Sequence, residues 1–212
     1  MSKEGEGPFC PILSIESFPY FYPYEQPKAS GIHLISGRIL LMDTERIQHI
    51  YQDAGLYLGG GIDSGVCLIP PKPGETKRYV AKFYKDHLPL SQLNLYTRIT
   101  NEASHIAVAE QWNLYVDTHY GKLAVRVIPT EEILFHNNLP VGITEQVTAK
   151  SCNGIIDCEF AQPFRQLSGF INDRLGVSGV NIIPFNARVT GKHGTLFITD
   201  LCDEIMDLRV NT

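Results

Sequence analysis

Hydrophobic and polar positions along the 212-residue chain change period several times, and each change marks an element. Val66-Cys67-Leu68-Ile69 is a short β run ended by Pro70-Pro71. After the turn Pro71-Lys72-Pro73-Gly74-Glu75, the stretch Arg78-Tyr79-Val80-Ala81-Lys82-Phe83-Tyr84 is an apolar strand with a lysine at its middle. From Leu90 to Tyr115 the period becomes helical. Leu95, Ile99, Ala103, Ile106, Ala107 and Glu110 recur at three- and four-residue spacings, and no Pro or Gly interrupts. Asn113 to Thr118 and Lys122 to Ile128 then read as two strands around a turn at His119-Tyr120-Gly121, followed by Pro129 and a polar loop through Asn138. Cys152 to Cys158 reads as a connecting loop. Phe160 to Leu175 reads as an amphipathic helix with Phe164, Leu167, Phe170 and Ile171 on one face. Toward the N-terminus, Gly31 to Leu41 is strand-like, and Asp43 to Tyr51 predicts a short helix capped by Asp43 or Thr44. Residues 1–30, rich in Pro, Gly, Glu and aromatics, predict an irregular arm or a partly disordered leader.

The stretch before the lysine strand carries the first candidate chemistry. Leu58-Gly59-Gly60-Gly61-Ile62-Asp63-Ser64-Gly65-Val66 places glycines where backbone N–H groups must approach an anion without a side chain in the way. No Gly-Lys-Ser/Thr follows, which excludes a Walker-type phosphate loop. The β run and prolines after Val66 argue against a dinucleotide turn, which needs a helix there. The bland reading is a glycine-rich hairpin turn and nothing more. Lys82, sixteen residues after Val66, raises the odds of an anion site, because an ammonium at the centre of an apolar strand is costly to bury unless an anion meets it.

Composition narrows the class. A hydrophobic share of 43% with 19% charged residues belongs to an ordinary folded chain of one domain, or of two small lobes sharing a cleft. A net charge of -5 argues against a general nucleic-acid or anionic-membrane binder, while leaving a local basic groove open. No run approaches transmembrane length, and Met1 to Gly7 lacks a secretory apolar core. Cys10, Cys67, Cys152, Cys158 and Cys202 are odd in number and form no C-x-x-C, which suits a reducing environment without structural zinc.

The glycine stretch resembles the nucleotide-covering loop of protein kinases, with Ser64 where the third glycine usually sits, and Val80-Ala81-Lys82 resembles their ATP-binding lysine strand. The resemblance implies an α+β, two-lobed kinase-like fold that binds ATP and Mg²⁺. Gly59, Gly60, Gly61, Ser64, Gly65 and Val66 would cover the nucleotide, and Lys82 would hold its phosphates. Glu102 on the long helix would hold Lys82 in place, with Glu110 as its rival, and the stretch Arg126-Val127-Ile128-Pro129 would be the hinge that grips adenine. Further on, Val180 to Val189 can be laid on the kinase catalytic loop. Asn186 then takes the metal-binding asparagine position, and Asn181 stands where the catalytic aspartate is expected. Asp200, at the end of the strand Thr195 to Thr199 and fourteen residues after Asn186, matches the magnesium-binding aspartate, with Leu201-Cys202 in place of Phe-Gly.

With twelve residues after Asp200 in this sequence, the expectation is a large lobe without an activation segment or the remaining helices. The plan resembles the minimal kinase-like effectors that bacterial pathogens inject into host cells, such as the OspG and NleH group and the HopBF group. That resemblance implies an arm over 1–30, a small lobe over 31–134, a truncated large lobe over 135–212, secretion without a cleaved signal, and phosphotransfer onto Ser/Thr of a host protein, with a host activator also open. Asn181 puts the base in question, since an amide orients a hydroxyl but takes no proton. Asp173 and Asp203 are the carboxylates open to replace it. Two further readings stay open: a pseudokinase that binds nucleotide and a partner without phosphotransfer, and a non-kinase α+β domain with a structural glycine hairpin.

Overall fold

The structure is a computed structural model that describes His33–Leu34, Ile50 and residues 54–211, except 61–62, 86, 118, 137–138 and 153–156. The expected N-terminal arm lies outside the described residues, as does most of the strand and capped helix expected between Gly31 and Tyr51. Strands β1 (His33–Leu34), β2 (Tyr57–Gly60), β3 (Ser64–Ile69) and β4 (Tyr79–Tyr84) precede helix α1 (Leu90–Ala109). Then come β5 (Asn113–Tyr115), β6 (Lys122–Val127), β7 (Thr130–His136), β8 (Leu139–Glu145) and β9 (Lys150–Ser151), and helix α2 (Asp157–Leu175). After α2 follow β10 (Val177–Ser178), β11 (Ala187–Val189), β12 (Thr195–Ile198) and β13 (Arg209–Val210). The class is α+β, with the expected order of hairpin, lysine strand, long helix and later strands.

The strands form a six-stranded sheet in the order β1-β7-β8-β4-β3-β2, a five-stranded sheet in the order β5-β6-β12-β11-β9, and the small pair β10-β13. The first sheet is antiparallel throughout. In the second, β6 and β12 run parallel, so residues 122–127 and 195–198 meet after a long crossover.

Strand β4 sits inside the first sheet between β3 and β8, in a register that sets Lys82 between Val66 and Gly142. Side chains alternate across a strand, so β4 serves two cores. Ala81 and Phe83 pack with Cys67, Ile69, Val141 and Ile143. On the other side Tyr84 joins the larger core, built from α1, α2, β6 and β12. Lys82 shares the parity of Tyr84 and faces that side. Glycine at 142 makes room for Tyr84: a Cβ there would lie 3.0 Å from the tyrosine ring, so the ring would have to shift by a few tenths of an ångström.

Helix α1 buries Leu93, Tyr96, Thr97, Ile99, Thr100, Ala103 and Ala107, the stripe expected of a period near 3.6, and ends where Gln111 takes a left-handed φ of 52°. No described helix is long and apolar enough to cross a membrane.

Three expectations for the middle of the chain are corrected. The stretch after Pro129 is not a polar loop through Asn138 but β7 and β8, which complete the first sheet. A boundary after Leu134 would cut β7 in two, and residues 32–212 form one compact unit. The expected hinge at Arg126 to Pro129 instead ends a strand of the second sheet, and the chain leaves the first sheet through residues 146–149. The physical reason is that Glu132 and His136 read as polar surface yet are buried.

Glu132 is 1% exposed, and its Oε2 has no hydrogen-bond partner among the described residues. Burial raises its carboxyl pKa from 4.5 to about 7. A carboxyl with a raised folded-state pKa binds its proton more tightly folded than unfolded, so stability falls as pH rises from about 4.5 through 7, by something on the order of 3 kcal/mol. Glu132→Gln removes this dependence. Chemical denaturation at pH 5 and pH 8 will show the variant gaining on the wild type as pH rises; a constant difference between them contradicts the assignment.

Candidate functional site

The site is built where β4 meets the end of β12. Lys82 is 7% exposed, and its Nζ donates to the Thr199 carbonyl at 2.8 Å and to Asp200 Oδ2 at 3.3 Å. A lysine this deep needs an opposite charge, and Asp200 supplies it from 118 residues away. The other carboxylate oxygen, Oδ1, accepts the Tyr96 hydroxyl of α1 at 2.6 Å. Burial and the neighbouring Asp200 charge push the Tyr96 pKa well above its usual value, so the hydroxyl remains a donor.

The approach to Asp200 is fixed by Asn186, the last residue of the 3-10 turn Pro184–Asn186. Its carbonyl accepts the Thr199 N–H at 2.8 Å and the Thr199 hydroxyl at 3.1 Å. Its side-chain amide donates to the Cys202 carbonyl at 3.0 Å. The turn that carries Asp200 is therefore held on both sides by Asn186, which places the two residues of the expected metal site together.

The glycine hairpin lies next to this centre, since β3 pairs with β4 and sets Gly65 against Phe83 and Val66 against Lys82. Gly59 has a φ of 143°, which a residue with a side chain rarely adopts, and a Cβ on Gly60 would come within 2.7 Å of the Tyr57 hydroxyl and 2.9 Å of the Ser64 carbonyl. Both glycines thus have a local backbone reason. Ser64, Gly65 and Val66 are half-buried, and Gly61 lies outside the described residues. What the sequence did not show is how the far end of the hairpin is held. Asp63, buried, accepts the Ile205 N–H at 2.6 Å through Oδ2, and its carbonyl accepts the Lys85 N–H at 2.9 Å. Gln92 of α1 grips the same C-terminal turn by donating to the Ile205 and Leu208 carbonyls, each at 2.7 Å.

Two expected residues are placed elsewhere. Glu102 is exposed on α1, on the face opposite the stripe that carries Tyr96 and Ala103, and does not meet Lys82. Its rival Glu110 pairs with Arg174 of α2 and accepts the Trp112 indole N–H. Asn181 is exposed beside a cavity of about 230 Å³ lined by Phe164, Arg165, Ile182 and Pro184, and its backbone N–H is tied to the Leu201 carbonyl at 2.9 Å. Asp173 and Asp203 are also exposed. A larger cleft of about 460 Å³ lies between Ile128, Pro129, Gln146, Val147 and Phe197, and neither cavity is lined by Lys82 or Asp200.

Among the described residues no cluster of three or more His, Cys, Asp or Glu side chains could hold a metal by itself. The donors at hand still fit Mg²⁺ in one way. Asp200 has a carboxylate with 24% of its side chain exposed, Asn186 has an amide oxygen, and Mg²⁺ prefers one or two such hard donors completed by phosphate oxygens and water.

No protein-family model matches the chain, and no curated protein matches it in sequence. Among solved structures the chain is similar to the kinase PK-1 of the Cydia pomonella granulovirus, with 15% identity and a TM-score of 0.42, over 79% of this chain and 58% of that one. The chain thus spans less than two thirds of that kinase. A likeness this remote adds nothing to the reading of individual residues.

Asp63→Ala leaves the buried Ile205 N–H without an acceptor and costs about 1–3 kcal/mol in unfolding free energy, whereas Asp63→Asn, which keeps an acceptor oxygen, costs less. Urea denaturation of the two variants measures the difference, and equal stabilities would remove the latch from the account.

Proposed function

We propose that the chain is a kinase-like nucleotide-binding protein that holds ATP at the Lys82–Asp200 centre and passes its γ-phosphoryl group to a Ser or Thr hydroxyl of a partner protein. The observation that carries this reading is the buried lysine facing a strand-end aspartate, on a strand paired with the glycine-rich hairpin. Lys82 is the cation that would take the phosphates once they compete with Asp200 for it. Asp200 and Asn186 are the residues that would hold Mg²⁺, which when bound neutralises charge on the phosphate oxygens. The bond from γ-phosphorus to the ADP oxygen breaks as one to the acceptor hydroxyl forms, and the hydroxyl proton passes to solvent water. Phosphoryl transfer depends mainly on positioning and electrostatics, so Asn181 could orient the hydroxyl without acting as a base.

A second reading, nucleotide binding without transfer, is favoured by Asn181 itself, an exposed amide at the position where a carboxylate is expected. Secretion from a bacterium and action on a host protein belong to the same proposal, supported by the sequence resemblance alone.

Incubation with γ-labelled ATP, Mg²⁺ and host-cell lysate tests the transfer. Labelled protein is expected with the wild type, falling roughly 10²-fold or more with Lys82→Ala and with Asp200→Ala. ATP at about 100 times its dissociation constant stabilises the native state by about 2.7 kcal/mol, which a thermal shift detects. A thermal shift without labelling selects the non-transferring reading. No shift at millimolar ATP with Mg²⁺ rejects both.

A further inference from the structure

We infer that Tyr96 is the residue of α1 that positions the Asp200 carboxylate, in the place where the kinase resemblance puts a helix glutamate on the lysine. The inference rests on the nucleotide-site reading above and names the element that controls it. Tyr96 is almost fully buried on the inner stripe of α1, and its hydroxyl reaches Asp200 Oδ1 at 2.6 Å, a charge-assisted hydrogen bond of the strong kind. Neither candidate glutamate is available for the task, because Glu102 is exposed and Glu110, just past the end of α1, is tied to Arg174 and Trp112. The helix therefore touches the charged pair from the aspartate side.

This arrangement has a consequence for ligand exchange. The Asp200 carboxylate is held at two points, Oδ1 by Tyr96 and Oδ2 by Lys82. When a phosphate oxygen draws the Lys82 ammonium away, Oδ2 is released while Oδ1 stays anchored. The carboxylate then keeps its orientation, with Oδ2 free as a hard oxygen donor beside Asn186. The Cys202 N–H, at 3.5 Å from Oδ1, is too distant to replace the tyrosine hydroxyl. Displacement of α1 would carry Tyr96 with it, so the helix position and the cation affinity of the site are coupled through one hydroxyl.

The test is binding of a fluorescent trinitrophenyl-ATP to the full chain, titrated with Mg²⁺ and repeated in EDTA. Tyr96→Phe, which removes one oxygen, is expected to need about ten-fold more Mg²⁺ for half-maximal binding while its affinity in EDTA stays at the wild-type value. Glu102→Gln is expected to titrate like the wild type. Asp200→Asn should show the Mg²⁺ defect by itself, and adding Tyr96→Phe to it should cost nothing more, because the two residues act as one unit. A Tyr96→Phe curve that overlays the wild type overturns the inference. So does an equal loss in Mg²⁺ and in EDTA, which marks a packing role only, or additive defects in the double variant. Absence of binding by the wild type in both conditions is a different result: it removes the nucleotide reading, and the inference with it.

Discussion

Burial of one ammonium group constrains the rest of this structure. Lys82 lies at the centre of an antiparallel sheet with almost no exposure, and the uncompensated cost of such a charge amounts to several kcal/mol. The compensation comes from a different sheet, through a carboxylate and a carbonyl at the end of β12. The two sheets are therefore bound at a charge pair as well as through the hydrophobic core between them. Removing either partner alone would leave the other stranded, which is why Lys82 and Asp200 behave as one feature.

From that pair the neighbouring elements take their positions. Strand β12 lies parallel to β6, Asn186 fixes the turn at Thr199, and Tyr96 brings α1 onto the free oxygen of Asp200. The segment beyond Asp200 is held by Asp63 from the hairpin and by Gln92 from the helix. Hairpin and helix thus both hold the C-terminal turn at Ile205, and the helix also reaches Asp200 through Tyr96.

Much of this was legible from sequence, and the failures have definite causes. A lysine inside an apolar strand and an aspartate ending another are strong local signals, and the structure places those two side chains together. The long helix was evident from its period, but its contact residue was not. At about 3.6 residues per turn, Tyr96, Ile99, Ala103 and Ala107 share a face and Glu102 does not. The apolar stripe through Ile99, Ala103 and Ala107 is legible in the right phase, and Glu102, taken from the kinase resemblance, lies off it. Strands β7 and β8 were missed because Glu132 and His136, read as polar, are buried there, a case of tertiary packing overriding pattern. Gly142 and the Asp63–Ile205 bond left no sequence signal, since each depends on a partner brought close only by the fold.

The account's central claim is that Lys82 is the phosphate-binding cation of this protein. An ATP analogue with an acyl group on its γ-phosphate transfers that group to a lysine amine lying against the phosphates, and mass spectrometry of the digested protein identifies the lysine. The account predicts acylation of Lys82 that excess ATP suppresses. Acylation confined to surface lysines, or acylation of Lys82 that ATP leaves unchanged, would contradict it.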